Sequence, residues 1–160
     1  MNLNDNPRGG TFCLSKAGLT IGTTAAGATT AIAFAAPNGA GVDYAINGLA
    51  YTLTDVASVL VTATNQDGTV ITPQADETDC LYLVQLDTSG TPTMLKGKEI
   101  TTGSGDSLRY PIPEDDNCAV GYVKIVTDGT TFTAGTDALD KASTTDTYVD
   151  VFAPPPEPTT

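Results

Sequence analysis

Apolar residues along this chain occur in short bursts that are separated by glycine, Asn-Gly and Asp-Gly. Threonine, glycine and alanine are abundant, whereas the helix formers Glu, Lys, Arg and Gln are scarce. Short apolar segments between frequent turn residues are typical of all-β domains. The pattern therefore predicts an all-β chain that folds as a single small antiparallel β-sandwich or barrel-like domain with little helix.

Turn residues between apolar stretches predict two β-hairpins. Asn47 and Gly48 separate two such stretches, and an Asn-Gly pair readily adopts the positive φ angles of a tight hairpin turn. A second hairpin is predicted where the turn at residues 88–90 leads into a partner strand at residues 92–96.

Other segments predict strands in more specific settings. Residues 80–87, CLYLVQLD, are apolar on both faces, so this strand should lie centrally in a sheet or turn its second face toward another subunit. Residues 54–64 fit both helical and strand spacing, and their Val and Thr content favours a strand. Residues 30–35 alternate large and small side chains, which predicts a half-buried strand. Residues 130–133 follow an Asp-Gly turn and are expected to pair with the strand before it, at residues 119–127. Further strands are predicted at residues 11–14, 19–23, 119–127 and 148–152.

The two ends of the chain differ in composition from the middle. Residues 1–10 are polar and contain Pro7 and a glycine pair, which predicts a flexible N-terminal arm. Residues 153–160, APPPEPTT, predict an extended Pro-rich C-terminal tail. Residues 11–152 then form the β domain, which is long enough to bury a core, and residues 24–30 are expected to be a flexible connection within it.

The charge balance limits the choice of partners. Lys and Arg number 7 against 19 Asp and Glu, which gives a formal net charge of −12. Such a surface repels nucleic-acid phosphates and anionic membranes, so neither is expected as a partner, whereas a basic protein surface is favoured. No apolar run approaches the roughly 20 residues of a membrane helix, and the N-terminus lacks the features of a secretory signal, so synthesis in the cytoplasm is expected.

The chain contains no histidine, which excludes the Ser-His and Cys-His arrangements that most nucleophilic hydrolases use. Its three cysteines, Cys13, Cys80 and Cys118, lack the paired spacing of zinc or thiol-exchange sites, so they are expected to be small buried residues. Several Asp-Gly turns resemble fragments of calcium loops but lack the converging oxygens that calcium requires. No metal and no cofactor are predicted.

The stretch LRYPIPEDDNCAVGYVKI, residues 108–125, contains three consecutive carboxylates. Neighbouring carboxylates can act as acid and base or hold a cation, but catalytic pairs usually face each other across a cleft from different strands. Two prolines stiffen the approach, so the favoured structure is an extended segment, an exposed acidic turn and a return to the core at Cys118. Lys124 is expected to pair with one of the carboxylates, which are Glu114, Asp115 and Asp116.

A succession of segments across residues 42–152 resembles the small structural proteins of tailed bacteriophages, namely head decoration, cement or fibre proteins. These segments are VDYAINGLAYTLTD, CLYLVQLDTSGTPTMLKGKEI, YPIPEDDNCAVGYVKIVTDGTTFTAGTDALD and the closing TYVDVF. The chain departs in length from the small trimeric decoration proteins of lambda-like phages, so a trimer is a working hypothesis.

The resemblance implies a non-enzymatic virion structural protein that binds the outer capsid surface and stabilises the head. Its partner would be the major capsid protein or another virion protein, and it would form a homo-oligomer. The protein would be made in the host cytoplasm and reside on the capsid exterior. Contacts are expected from the arm, the acidic turn and the tail, at Asn2, Leu3, Asn4, Arg8, Glu114, Asp115, Asp116, Pro154, Pro155 and Pro156.

Two alternatives remain open. The six tyrosines can stack on sugar rings, so a fibre or surface module that binds host glycans or a receptor is the main alternative, although tyrosines in strand-rich chains more often pack across a sheet. A hydrolase that uses carboxylates or an oxygen-bound metal is the residual possibility.

Overall fold

The computed structural model describes residues 10–23 and 29–152, and every regular element in these ranges is a β-strand. The predicted all-β fold is therefore confirmed. These ranges contain no helix that is long and apolar enough to cross a membrane. Of the arm predicted at residues 1–10, residues 1–9 lie outside the described residues, as do residues 24–28 of the connection predicted at residues 24–30 and the whole tail at residues 153–160. The end of the predicted connection is not flexible, because Thr30 is fully buried and its hydroxyl donates to the Asp137 carbonyl oxygen at 2.6 Å.

The strands are arranged in three sheets. The largest has the order β12-β11-β8-β9-β7, with β10 beside β8, and two three-stranded sheets have the orders β1-β4-β5 and β2-β3-β6 when strands are numbered along the chain. The strands are β1 (Phe12–Cys13), β2 (Leu19–Ile21), β3 (Ala31–Phe34), β4 (Val42–Ile46), β5 (Leu49–Leu53), β6 (Val56–Leu60), β7 (Thr62–Asn65), β8 (Thr78–Leu86), β9 (Pro92–Lys96), β10 (Ile100–Thr101), β11 (Cys118–Thr127) and β12 (Thr144–Asp150).

The neighbouring strands of these sheets are antiparallel, as predicted, with one exception. β7 lies parallel to β9, from the pair Thr62 and Thr93 to the pair Asn65 and Lys96. A parallel pair needs a crossover of about a dozen residues or more. The chain between β7 and β9 includes β8 and the loop before it, so local turn signals could not indicate this pairing.

The main core lies between the inner face of the large sheet and the two smaller sheets, which gives a sandwich arrangement. β11 turns Val120, Val123 and Ile125 into this core, and a β-bulge between Ala119 and Gly121 adjusts the alternation. The sheets formed by the described residues do not close on themselves, so the sandwich form of the prediction is the one observed. The largest buried core side chains include Phe34, Tyr44, Ile46, Tyr82 and Phe132.

Both predicted hairpins are confirmed. β4 and β5 pair antiparallel around the Asn47-Gly48 turn, where Asn47 has a φ of 52° and Gly48 a φ of 80°. β8 and β9 form the second hairpin, and β8 lies centrally because β11 occupies its other side. The turn chemistry of short hairpins is local, which is why sequence patterns identify them well.

Both faces of β8 are buried, as its apolar pattern predicts, and this chain itself covers the second face. Leu81 and Leu83 are 5% and 4% exposed on the face opposite the main core. Residues 108–113, called the proline strap, cross this outer face, and Pro111 is buried there. A Cβ added at Gly97 would lie 3.2 Å from Pro111 Cγ and 2.8 Å from the Leu81 carbonyl oxygen, which shows how closely the strap approaches the sheet.

Three strand predictions were wrong in detail. The strand predicted at residues 54–64 is two strands in different sheets, with the buried Val61 between them. Residues 130–133 do not pair with β11, because Phe132 instead exchanges backbone hydrogen bonds of 2.7 and 3.2 Å with Gln74 and buries its ring against Tyr82. β12 takes that place beside β11 and begins at residue 144. All four residues of β3 are buried, since it is the central strand of its sheet.

A buried cation holds the loop that precedes β8. The Lys96 residue is 5% exposed, and its ammonium donates hydrogen bonds to the Thr72 and Pro73 carbonyl oxygens at 2.8 and 3.0 Å. The same ammonium forms an ion pair with Glu99 at 2.5 Å, and Glu99 also accepts a 2.9 Å hydrogen bond from the Ala75 amide. These charge-assisted hydrogen bonds therefore offset the hydration that the Lys96 ammonium loses on burial.

We expect Lys96→Met to lower the free energy of unfolding by about 3 kcal/mol, because it leaves Glu99 and two carbonyl groups without their cation. Chemical denaturation followed by circular dichroism measures this change. The matched control is Lys98→Met, which removes an exposed ammonium two residues along and should change stability by less than about 0.5 kcal/mol. Equal effects of the two substitutions would contradict the structural role of Lys96.

The three cysteines are free thiols, and all are buried, as predicted. Burial raises the pKa of Cys13 to about 11, and burial also raises the pKa of Cys80 and of Cys118 to about 12. The folded state therefore favours the protonated thiols. This preference contributes fully to stability at a pH below the ordinary thiol pKa, and the contribution is lost as the pH rises through the raised pKa values.

We expect the native protein at pH 8 to react with a thiol reagent far more slowly than the guanidinium-unfolded chain, in which all three thiols should react. Above about pH 9, denaturation midpoints should begin to fall as thiolates form in the unfolded chain. Reaction kinetics at pH 8 and denaturation curves between pH 8 and 11 provide the measurements. Rapid modification of the native protein would show that the thiols are accessible.

Candidate functional site: the acidic groove

The predicted acidic turn lines an open groove of about 620 Å³ at one end of the large sheet. We call it the acidic groove. Residues 113–117 form one wall, and residues 11–13 with Asn47 come from the sheet β1-β4-β5. Ala119 of β11 and Val151 complete the lining. The groove thus lies where the large sheet meets one of the smaller sheets.

Gln85 anchors the first carboxylate of the turn. Its side chain is fully buried on the outer face of β8, where its Oε1 accepts a 3.0 Å hydrogen bond from the Glu114 backbone amide. Its Nε2 donates to Glu114 Oε2 at 2.6 Å and to Thr93 Oγ1 at 3.1 Å. The amide group therefore has partners at both ends, as a buried polar group requires. This pair of contacts fixes the position at which the proline strap ends and the turn begins.

Asn47 anchors the other side of the turn. Its Nδ2 donates to Asp116 Oδ1 at 2.6 Å, and its backbone amide donates to Thr11 Oγ1 at 3.1 Å. Both Asn47 and Asp116 have left-handed backbone conformations, with φ angles of 52° and 59°. Asn and Asp tolerate this conformation better than other side chains do, which suits them to the two turns that meet here.

The three carboxylates do not converge on one point. Glu114 is held toward Gln85 and Asp116 toward Asn47, while Asp115 lies between them and all three residues are exposed. This divergence agrees with the predicted exposed turn and return to the core, because Cys118 is fully buried at the start of β11. Among the described residues, no group of three or more acidic or cysteine side chains is arranged to hold a metal ion.

The predicted partner of Lys124 was wrong. Its ammonium pairs with Asp79 of β8 at 2.7 Å instead of with the acidic turn. Burial alone would raise the pKa of the Asp79 carboxyl, but the hydrogen bonds from Lys124 and Thr102 outweigh it and hold the pKa below its ordinary value. β11 places Lys124 next to β8 in the sheet, six residues from Cys118, so the strand carries it away from the turn. The ion pairs among the described residues therefore do not involve the carboxylates of the acidic groove.

Both ends of the described β domain lie at the acidic groove. Thr11 and Phe12 line it at the start, and the Gly10 carbonyl oxygen accepts a 3.4 Å hydrogen bond from the Gly48 amide. Val151 lines it at the other end, and its amide donates to the Val120 carbonyl oxygen at 3.0 Å. The predicted contact residues of the arm and tail lie outside the described residues: Asn2, Leu3, Asn4, Arg8, Pro154, Pro155 and Pro156.

Sequence reasoning missed Gln85 and Asn47 as parts of this site. A glutamine inside the apolar run CLYLVQLD is a signal of a buried polar contact, but the run does not indicate which residue it contacts. Asn47 is already explained by the hairpin turn, so its second role toward Asp116 gives no separate signal.

The tyrosines are divided between the core and the surface. Tyr44 and Tyr82 are buried, and Tyr51 and Tyr148 are partly buried against the core. The two others, Tyr110 and Tyr122, pack edge to face on the outer side of the large sheet, with ring centroids 5.1 Å apart.

Comparison with known protein families, curated proteins and solved structures gives no significant match to this chain. The resemblance to phage structural proteins therefore stays a prediction.

We expect Gln85→Leu to lower the free energy of unfolding by about 1–3 kcal/mol, because it leaves the Glu114 amide without its acceptor. The same substitution should loosen the acidic turn, so the amides of Glu114 and its neighbours should exchange their hydrogens faster. Amide hydrogen exchange measures this change. Gln66→Leu is the control, because Gln66 is exposed in a loop. Unchanged exchange at the acidic turn in Gln85→Leu would show that Gln85 does not hold it.

Proposed function

We propose that this protein is a non-enzymatic structural protein of a bacteriophage virion, a decoration or cement protein that binds the outside of the head and stabilises it. The observation that carries the proposal is the meeting of the acidic turn with both ends of the β domain at one groove. A single face then offers a charged recess together with residues close to both ends of the described domain.

The charge of this face indicates the chemistry of the partner. The chain carries a net charge of −12, and the three carboxylates of the groove are exposed. A basic surface on the major capsid protein or on another virion protein complements it, whereas nucleic acid and anionic membranes do not. In this proposal the protein is made in the host cytoplasm and resides on the capsid exterior, where a homo-oligomer would match the symmetry of the shell.

The anchoring of the groove supports a docking role. Gln85 and Asn47 fix Glu114 and Asp116 before any partner arrives. A preorganised site loses less conformational entropy on binding than a loop that must be ordered. The N-terminal arm can add contacts that order on docking, and repetition over a shell multiplies weak contacts through avidity.

A fibre or surface module that binds host glycans is the second candidate. The observation that favours it is the exposure of Tyr110, 62% of whose surface is accessible, beside Tyr122 on the outer side of the large sheet. Aromatic side chains in this position offer apolar area with a hydroxyl group attached. Glycan-array binding that is lost in Tyr110→Ala would favour this function over the first.

We expect the combined substitution Glu114→Gln, Asp115→Asn, Asp116→Asn to weaken binding to purified heads that lack this protein by about tenfold, which corresponds to about 1.4 kcal/mol. Each substitution removes a charge and keeps a hydrogen-bond acceptor. Occupancy measured by cosedimentation at increasing protein concentration, at low and high salt, gives the affinity. The wild-type affinity should fall with salt more steeply than that of the variant.

The matched control removes the same number of charges elsewhere, through Asp106→Asn, Asp128→Asn and Asp140→Asn, all at exposed positions. Deletion of residues 1–9 and of residues 153–160 tests the terminal segments separately. Wild-type occupancy in the groove variant and in both deletions would refute docking through this face. Failure of the wild-type protein to bind any head would refute the proposed function itself.

A further inference from the structure

We propose that an exposed apolar stripe on the outer side of the large sheet binds the Pro-rich C-terminal segment of the same chain, residues 153–160. The stripe consists of Ile112, Tyr110, Tyr122 and Val149, and we call it the tyrosine stripe. The proposal concerns the protein on its own and does not rest on the proposed function.

The stripe is continuous across three segments of the chain. The rings of Tyr110 and Tyr122 meet at 67° with their centroids 5.1 Å apart, and their hydroxyl groups are 3.5 Å apart. Tyr122 of β11 lies directly opposite Val149 of β12 in the sheet register. Ile112 follows Tyr110 by two residues in the extended proline strap, which places both side chains on the same side of it.

The stripe remains open in the described part of the chain. Ile112 is 71% exposed, Tyr110 62% and Val149 37%, whereas Pro111 between the first two is buried against the sheet. The strap thus uses Pro111 to cover the sheet and turns its two largest apolar neighbours outward. Neighbouring apolar side chains that stay exposed in this way are typical of a surface that receives another segment.

The position of the chain end favours residues 153–160 as that segment. β12 carries Val149 into the stripe and ends at Asp150, and the described chain stops at Phe152, which is 43% exposed. The tail therefore begins four residues after Val149, at one end of the stripe. Eight residues of polyproline II helix extend about 25 Å, at about 3.1 Å per residue. Adjacent strands are about 4.8 Å apart, so the tail is long enough to cross from β12 over β11 to the strap.

The chemistry of the tail also fits the stripe better than the acidic groove. Residues 153–160 read APPPEPTT, with four prolines, one carboxylate and no cation. Proline-rich segments dock against aromatic side chains at small entropic cost, because the polyproline II conformation is already favoured before binding. Glu157 would be repelled by the carboxylates of the groove, whereas the tyrosine stripe carries no charge.

Nuclear magnetic resonance of the full-length protein tests the inference. We expect nuclear Overhauser effects between ring protons of Tyr110 or Tyr122 and the proline protons of residues 154–158. Replacement of Pro154, Pro155 and Pro156 by alanine should remove them and shift the Tyr110 ring signals. It should also lower the heteronuclear Overhauser effect of the Glu157 amide to values of an unfolded chain. Thr159→Ala with Thr160→Ala is the matched control in the tail, and it should preserve the contacts.

Tyr110→Ala gives the complementary test from the side of the stripe, and it should release Glu157 in the same way as the triple proline variant. Absence of contacts between the tail and either ring in the wild-type protein would overturn the inference. Contacts that disappear on dilution would also overturn it, because they would assign the stripe to the tail of a second copy. Neither outcome depends on head binding, so the inference and the proposed function can fail separately.

Discussion

The need to cover both faces of β8 governs the arrangement of this chain. β8 is apolar on both sides and lies centrally in the large sheet, so an open face would leave Leu81 and Leu83 in water. The small sheets cover the inner face, and the proline strap covers the outer one. Proline is suited to this task because it favours an extended backbone and has no amide group that must find a partner in a sheet.

The acidic turn is a consequence of how the strap ends. Gln85 is the polar residue at the far end of the same outer face, and it holds the Glu114 backbone and carboxylate together. The chain must then reverse to enter β11 at Cys118, and it does so over the left-handed Asp116 beside Asn47. The carboxylates are exposed because the turn lies outside both layers of the sandwich. The turn is rigid because hydrogen bonds hold it on both sides, at Glu114 and at Asp116.

Local signals account for the parts of the fold that the sequence predicts correctly. The Asn47-Gly48 hairpin, the central position of β8 and the buried Cys118 each follow from residues within one short segment. The errors concern partners that are distant in the chain. Phe132 pairs with Gln74 and not with β11, and β7 joins β9 across a crossover. The acidic turn was recognised, but its anchors Gln85 and Asn47 were not, because their contacts span 29 and 69 residues.

The proline strap also connects the two surfaces to which we assign partners. Its inward residue, Pro111, packs at Gly97, where even a Cβ atom would lie 2.8 Å from the Leu81 carbonyl oxygen. Its outward residues Tyr110 and Ile112 belong to the tyrosine stripe, and Pro113 opens the acidic groove. A displacement of the strap at Gly97 would therefore disturb both surfaces together, although they face different partners. Gly97 belongs to neither surface, and a side chain at this position would act on both by displacing the strap.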